Sequence, residues 1–342
     1  MRAVRFHEFG DTGVLREDEV PTPEPAPGEA LVRVRACAVN HVDIDMRDGT
    51  SRLPLTLPHT LGFEIAGEVA GLGPGASGVA VGDRVAPLYQ IHCRECDWCL
   101  AGQHMHCERI AMLGVQSPGG YAQYVVVPAW ALIALPDTLS FEQGAAVQTT
   151  FATVWHALVE RLPVSEGQWV LVNAAGSGVG TAGIQVARLL GGRVIASAGS
   201  QFKLDRALEL GAEATVNYRT EDLAQRVREL TEGRGVDVVM ESVGGDVLSA
   251  SLAALAKNGS VVTVGGHGGE VVPVDVILLF RSQWSLIGSV RATADEIHRC
   301  IELTGEGKLT PVIHAALPLE QAAEAHRILE AREQFGKVLL VP

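Results

Sequence analysis

Two textures of apolar and polar positions divide this chain. Up to about residue 150, short runs of alternating or β-branched residues read as strands: Ala30–Ala38, Ile65–Leu72, Asp83–Leu88 and Gly120–Val127. Turn-forming Pro-Ala-Pro-Gly and Gly-Pro-Gly segments separate them. The N-terminal Met1-Arg-Ala-Val-Arg-Phe alternates in the same way. This pattern predicts an all-β, partly barrel-like domain.

Beyond residue 150 the pattern changes to strand, helix, strand. The apolar runs Trp169–Ala174, Arg193–Ala198, Val236–Glu241, Ser260–Val264 and Ser285–Ile287 have the length of buried parallel strands. Helical periodicity covers Val179–Leu190, Phe202–Leu210, Asp222–Thr231 and Val247–Ala256. Such alternation predicts a doubly wound α/β sheet. From about residue 290 the chain shows a helix (Thr293–Thr304), a strand, a helix (Leu319–Ala331) and a last strand (Lys337–Val341). The expectation is a first domain of residues 1–150 and 290–342, with a Rossmann domain of residues 151–289 inserted in it.

Composition narrows the class. At 342 residues with 47% apolar content and 38 glycines, the chain suits a two-domain globular protein rich in tight turns. No apolar run approaches the roughly 18 residues of a membrane span, and Pro128 breaks the best stretch, Val125–Leu135. Without a signal-peptide pattern at Met1, a cytoplasmic location is the default. A net charge of −13 opposes a nucleic-acid partner and points to a small-molecule substrate.

The strand Trp169–Ala174 runs into Ala175-Gly-Ser-Gly-Val-Gly180 and then a helix. Glycines there let the backbone turn tightly beside a pyrophosphate, whose charge a helix N-terminus stabilises. Gly176, Ser177, Gly178, Val179 and Gly180 are the expected contacts. The overlapping pattern Gly178-x-Gly180-x-x-Gly183 would put the turn inside the helix. After the second strand, Ala196-Ser-Ala-Gly-Ser200 offers no acid for a ribose 2′-hydroxyl, whereas Ser200 and Lys203 suit a 2′-phosphate. NADPH is therefore favoured over NADH, the alternative being that Lys203 is a solvated helix residue.

Four of the six cysteines, Cys93, Cys96, Cys99 and Cys107, fall within one short loop at about residues 90–110. Closely spaced thiolates suit tetrahedral zinc, and four of them leave no open position for chemistry, so the site is structural. A histidine (His92, His104 or His106) in place of one cysteine, or a set of metal-free thiols, are the alternatives.

Together these features resemble the medium-chain dehydrogenase/reductase superfamily, which holds zinc alcohol dehydrogenases and zinc-free quinone oxidoreductases. The resemblance includes Gly119-Gly-Tyr-Ala-Gln-Tyr-Val-Val-Val-Pro128, the Thr153 region, Val216-Asn-Tyr-Arg219 and the terminal Phe335-Gly-Lys-Val-Leu339. It implies a GroES-like catalytic domain, a Rossmann domain and a cleft between them. Cofactor contacts implied by it are His41 (expected in a loop), Thr153, Tyr218, Val243, Gly265, Gly288 and Lys337. It further implies a homodimer or homotetramer paired through the last Rossmann strand, around Trp284–Ser289.

The departures carry the chemistry. Where the alcohol dehydrogenases hold a catalytic zinc, this chain has Asn40, Phe63 and Thr149, and Val42 stands where their proton relay has a hydroxyl. Asn40 with Asp43 resembles the quinone oxidoreductase pattern. Zinc would polarise a carbonyl as a Lewis acid. A conjugated acceptor spreads the developing charge itself and needs only hydrogen-bond donors. The expectation is hydride transfer from NADPH to a quinone or α,β-unsaturated carbonyl, with Asn40 and Asp43 as candidate catalytic residues. The rivals are an alcohol dehydrogenase with an unusual metal site (His41, His59 and Glu64) and a dinucleotide-binding sensor or structural protein without turnover.

Overall fold

The computed structural model describes residues 1–342, which divide into two compact units. One comprises Met1–Gln148 and Thr293–Pro342, the other Thr149–Ala292. The division falls within the helix Phe141–Trp155, which continues through a wider π-helical turn, His156–Arg161.

The first unit is built on a seven-stranded sheet. Its order is Ile313–Pro318, Lys337–Val341, Glu29–Ala38, Glu64–Leu72, Arg84–Pro87 and Leu132–Ala134, with Tyr124–Pro128 also paired to Glu29–Ala38. All pairings are antiparallel except that between the two C-terminal strands. Glu29–Ala38 is the hub. Two register irregularities against Glu64–Leu72 allow its ten residues to bend and serve three partners. Lys337–Val341 joins the hub at Leu339 opposite Ala38 and Leu340 opposite Cys37. The C-terminal segment thus completes the sheet begun by the N-terminal half.

Directly after the hub strand comes a helix, His41–Asp48, closed by Gly49 in the left-handed region at φ 85°. His41, expected in a loop, is the first residue of this helix, and its ring lies 4.0 Å from Asp45 one turn on.

The second unit is a six-stranded, wholly parallel sheet. Its order is Ala214–Asn217, Arg193–Ala198, Trp169–Val172, Val236–Glu241, Leu255–Thr263 and Ser285–Gly288. That is the doubly wound Rossmann arrangement, in which the strand order reverses beside the first strand. Leu171, Ile195, Val216, Val239 and Val261, one from each of five strands, meet in one buried cluster. Each contributes about 1.5–3 kcal/mol of burial. Among the elements not expected are the four-residue strand Ala214–Asn217, the helix Val276–Ser282 and the π-helical turn His156–Arg161. The expected helix Val247–Ala256 is Gly245–Ala254, and the fifth strand starts earlier than expected, at Leu255.

Candidate functional site

In the first unit the hub strand ends at Ala38, and the next residues deliver Asn40 and Asp43 to a buried polar cluster. Lys337, from the last strand, donates to Glu64 Oε2 at 2.6 Å, to Asn40 Oδ1 at 2.7 Å and to the Val39 carbonyl at 3.1 Å. An ammonium has three donors, and all three are committed. Asn40 Nδ2 in turn donates to Glu64 Oε2 at 2.9 Å and faces the Ala38 carbonyl at 3.4 Å. Lys337, expected at the cofactor, thus spends its donors inside this domain. The Asn40 amide is likewise directed at protein acceptors, which makes it a brace between Glu64 and Lys337.

Asp43 is fully buried. Its Oδ2 accepts from the Asn40 backbone N–H at 2.8 Å and from the Tyr121 hydroxyl at 3.2 Å, while Oδ1 has no partner. Burial pushes its pKa up to about 7, against the opposing pull of the Asn40 N–H, Lys337 and Tyr121. Cys37 lies beside this cluster. Burial first, then Asp43 and Glu64, raises its thiol well above the usual range, so it stays neutral.

In the second unit the strand Trp169–Val172 leads into Asn173 and Ala174, the latter at φ 50°, an uncommon conformation for a residue with a Cβ. Ser177 then caps the helix Gly178–Leu189 by accepting from the Gly180 N–H at 2.9 Å. The turn is therefore complete at Ser177. Gly178, Val179 and Gly180, expected within it, form the first helical turn. The loop needs glycine at position 180 because an added Cβ would lie 2.2 Å from the Ala174 carbonyl oxygen. A buried chain from Ser197 Oγ to Asn173 Oδ1, and from Asn173 Nδ2 to Ser251 Oγ, ties the loop to its neighbours, both bonds at 2.7 Å.

At the end of the adjacent strand, Ser200 is the cap residue of the helix Gln201–Glu209, and its side chain is not used in the cap. The Lys203 stem lies over Gly176, with Cδ 2.5 Å from where a Cβ would be. Tyr218 and Arg219 close over Gly199, their OH and Nε at 3.0 and 2.9 Å from the equivalent point. Lys203 and Tyr218 thus border the neighbouring Gly176 and Gly199 loops, with Ser200 next in sequence to the second. Arg219, which ends the quoted segment Val216–Arg219, was not singled out in the sequence, yet it packs beside Tyr218 over Gly199. Its signal was a cation two residues past a strand too short to be read as one. Val243, Gly265 and Gly288 lie at or just past the C-terminal ends of three successive strands, along the same sheet edge as the glycine turn. Thr153 lies in the helix Phe141–Trp155.

The four cysteine sulfurs lie within 4.8 Å of one another, and Cys93 and Cys99 are 3.8 Å apart. A tetrahedral zinc with bonds of about 2.3 Å requires sulfur separations of about 3.8 Å. Backbone N–H groups of Glu95 and Cys96 lower the Cys93 pKa, whereas burial pushes Cys99 up to about 12. The cluster is compatible with a structural zinc.

Two family models match. "Zinc-binding dehydrogenase" covers residues 178–306, and "Alcohol dehydrogenase GroES-like domain" covers residues 26–137. A quinone oxidoreductase from Pongo abelii is 33% identical, with 100% of this chain aligned to 98% of that protein. The chain belongs to the medium-chain dehydrogenase/reductase superfamily. An alcohol dehydrogenase from Geobacillus stearothermophilus is 31% identical over 95% of this chain and 96% of its own length. Among solved structures, an NAD-dependent alcohol dehydrogenase superposes with a TM-score of 0.95 at 43% identity, each chain fully covered.

Within this superfamily the first unit is the GroES-like domain and the second the Rossmann domain. His41, His59 and Glu64, weighed as an unusual metal site, do not converge. His59 is bound to the Gly114 carbonyl at 2.8 Å, and Glu64 is held by Lys337 and Asn40.

Proposed function

We propose that this oxidoreductase transfers hydride from NADPH to a conjugated acceptor, a quinone or an α,β-unsaturated carbonyl, without a catalytic metal. The observation that carries this reading is the cluster at Asn40. Where the family's alcohol dehydrogenases need zinc ligands, this chain has an amide, Phe63 and Thr149, and the amide is bonded to a buried Lys337–Glu64 pair. A ligand-poor site favours acceptors that delocalise charge. Asn40 and Asp43 remain the residues on which the chemistry turns, Asn40 braced by Glu64 and Lys337, and Asp43 holding its backbone.

The dihydronicotinamide supplies the hydride. The first turn of the helix Gly178–Leu189 would receive the pyrophosphate. Ser200, Lys203, Tyr218 and Arg219 would receive the 2′-phosphate, with no carboxylate at the end of Arg193–Ala198 to repel it. His41, Thr153, Val243, Gly265 and Gly288 are assigned to the cofactor on the family resemblance. The four cysteines would hold one zinc away from the chemistry.

The chain is also proposed to form homo-oligomers through the outer Rossmann strand. Ser285–Gly288 has a partner on one side only, and Leu286, Val290 and Phe280 are exposed beside it. Light scattering on the purified protein tests this, with a monomer as the contrary result.

The deciding experiment is a panel of quinones, enones, aldehydes and simple alcohols assayed with both cofactors. The expected result is NADPH-dependent reduction of a quinone or enone with weak alcohol oxidation. The 43% identity to an NAD-dependent alcohol dehydrogenase motivates the second reading. Efficient alcohol oxidation, abolished by chelation and restored by zinc, would establish that reading instead. No turnover with any acceptor would leave a dinucleotide-binding protein without catalysis.

A further inference from the structure

Inside the first unit, segments far apart in sequence bring a single line of polar groups together. Arg47, only 2% exposed, donates Nε to the Gly10 carbonyl at 3.1 Å and NH2 to Glu330 at 2.5 Å. Its NH1 lies 3.3 Å from His326 Nδ1. A guanidinium carries donors only, so Nδ1 must accept and the imidazole proton must sit on Nε2. Nε2 faces the Tyr121 oxygen at 3.0 Å. The hydroxyl, accepting there, donates its own hydrogen bond to Asp43 Oδ2 at 3.2 Å. Every bond points the same way, from a permanent cation to a buried carboxylate. Arg47 does not release its proton at any ordinary pH, so the line conducts no protons. It is a row of aligned donors whose only chemical effect falls on its last member.

We infer that Arg47, His326 and Tyr121 are positioning residues that favour the ionised form of Asp43 against its burial, and through Asp43 hold the backbone of Asn40. Asp43 has few other means of carrying a charge. Its Oδ1 is bare, and Oδ2 has only the Tyr121 hydroxyl and the Asn40 N–H as direct partners. Of the other charged groups facing it, Lys337 favours the anion, while Glu64 opposes it. His326 suits the task because burial, followed by the charge of Arg47, holds its pKa down to about 3. A neutral imidazole with one fixed tautomer keeps the direction of the chain constant across the working pH range. This assignment concerns the domain itself and does not depend on which acceptor the enzyme reduces.

Two measurements on the full-length protein test it. Heteronuclear NMR of the His326 ring should show a neutral imidazole protonated at Nε2 from about pH 5 to about pH 8. An imidazolium, or a proton on Nδ1, would overturn the inference, since the chain would then lose its direction. Infrared difference spectra against Asp43→Asn should follow ionisation of the Asp43 carboxyl. Tyr121→Phe should raise its midpoint by about one to two pH units, the effect of removing a hydrogen bond to the charged form. His326→Gln, which can still accept from Arg47 and donate to Tyr121, should move it less. An unmoved midpoint in a folded Tyr121→Phe protein would reduce the network to packing. If Tyr121→Phe does not fold, a midpoint unmoved in His326→Leu overturns the inference in the same way.

Discussion

The ammonium of Lys337 lies 2.6 Å from Oε2 of Glu64, in a place where the two side chains are 6% and 0% exposed. A pair this deeply buried gives up most of its hydration, and only good geometry and further hydrogen bonds return the cost. Asn40 supplies both, accepting from Lys337 and donating to Glu64. The three residues form one unit, and each lacks a suitable partner if another is removed.

Lys337→Met should therefore destabilise the protein by about 3–5 kcal/mol, because the Glu64 charge is left buried without compensation. The double variant Lys337→Met with Glu64→Gln should recover a large part of that loss. Urea unfolding of wild type, singles and double forms the cycle. Additive losses would show that the two side chains act independently, contrary to the geometry.

Glycine 180 offers a sharper steric test. Its missing Cβ would stand 2.2 Å from the Ala174 oxygen, and backbone cannot yield as a side-chain tip can. Gly180→Ala should force the helix Gly178–Leu189 off its strand, costing about 1–3 kcal/mol, and should weaken dinucleotide binding. Gly288 has nothing within 4 Å of its added Cβ. Gly288→Ala should leave stability within about 0.5 kcal/mol. Equal losses of stability at both positions, read by thermal melts, would contradict the packing described.

What the sequence disclosed follows from how local each feature is. The glycine turn and the cysteine lobe are contiguous, and their spacing alone implies their geometry. The helix His41–Asp48 was also legible in principle: Asn40 before it, Asp43 at its third position and Gly49 after it are ordinary boundary signals. Ala214–Asn217 escaped because four residues are too few for a period to declare itself. The Asn40 cluster could not have been read. Lys337 and Glu64 lie 273 positions apart, and Arg47 at the end of a helix looks like any solvated cation until Glu330 and His326 are placed against it.

Asp43 makes folding stability depend on pH in a direction opposite to most carboxylates. Its folded pKa, raised to about 7 chiefly by burial, lies above the unfolded value of 3.8. Between those values the native state binds more protons than the unfolded chain, so stability falls as pH rises. The contribution is fully present below about pH 4 and lost by about pH 7, amounting to at most on the order of 4 kcal/mol. Asp43→Asn removes the titrating group while its side-chain oxygen can still accept from Tyr121 and Asn40. The stability difference between wild type and this variant should therefore shift in the variant's favour across that window. A difference that does not change with pH would place the Asp43 pKa near its ordinary value.

The cysteine lobe gives the last prediction. Its four sulfurs already sit at spacings that suit a tetrahedral ion, and Cys93 receives N–H groups from the backbone that favour its thiolate. Elemental analysis should give close to one zinc per chain. Cys96→Ser should lose that zinc, since a serine hydroxyl is a far weaker zinc ligand than the thiolate it replaces. Release should loosen the lobe locally, because Cys99 and Cys107 are buried and Leu100 and Trp98 beside them are largely exposed. Little apolar packing is available there to replace the metal. Trp98 fluorescence and protease sensitivity around residues 93–107 should change, whereas the parallel sheet of the other unit should keep its hydrogen-exchange protection. Two zincs per chain would require ligands outside the cluster. Unchanged zinc content in Cys96→Ser would mean that a neighbouring side chain replaces the lost sulfur, with His104 and His106, three and one residues before Cys107, the first to test.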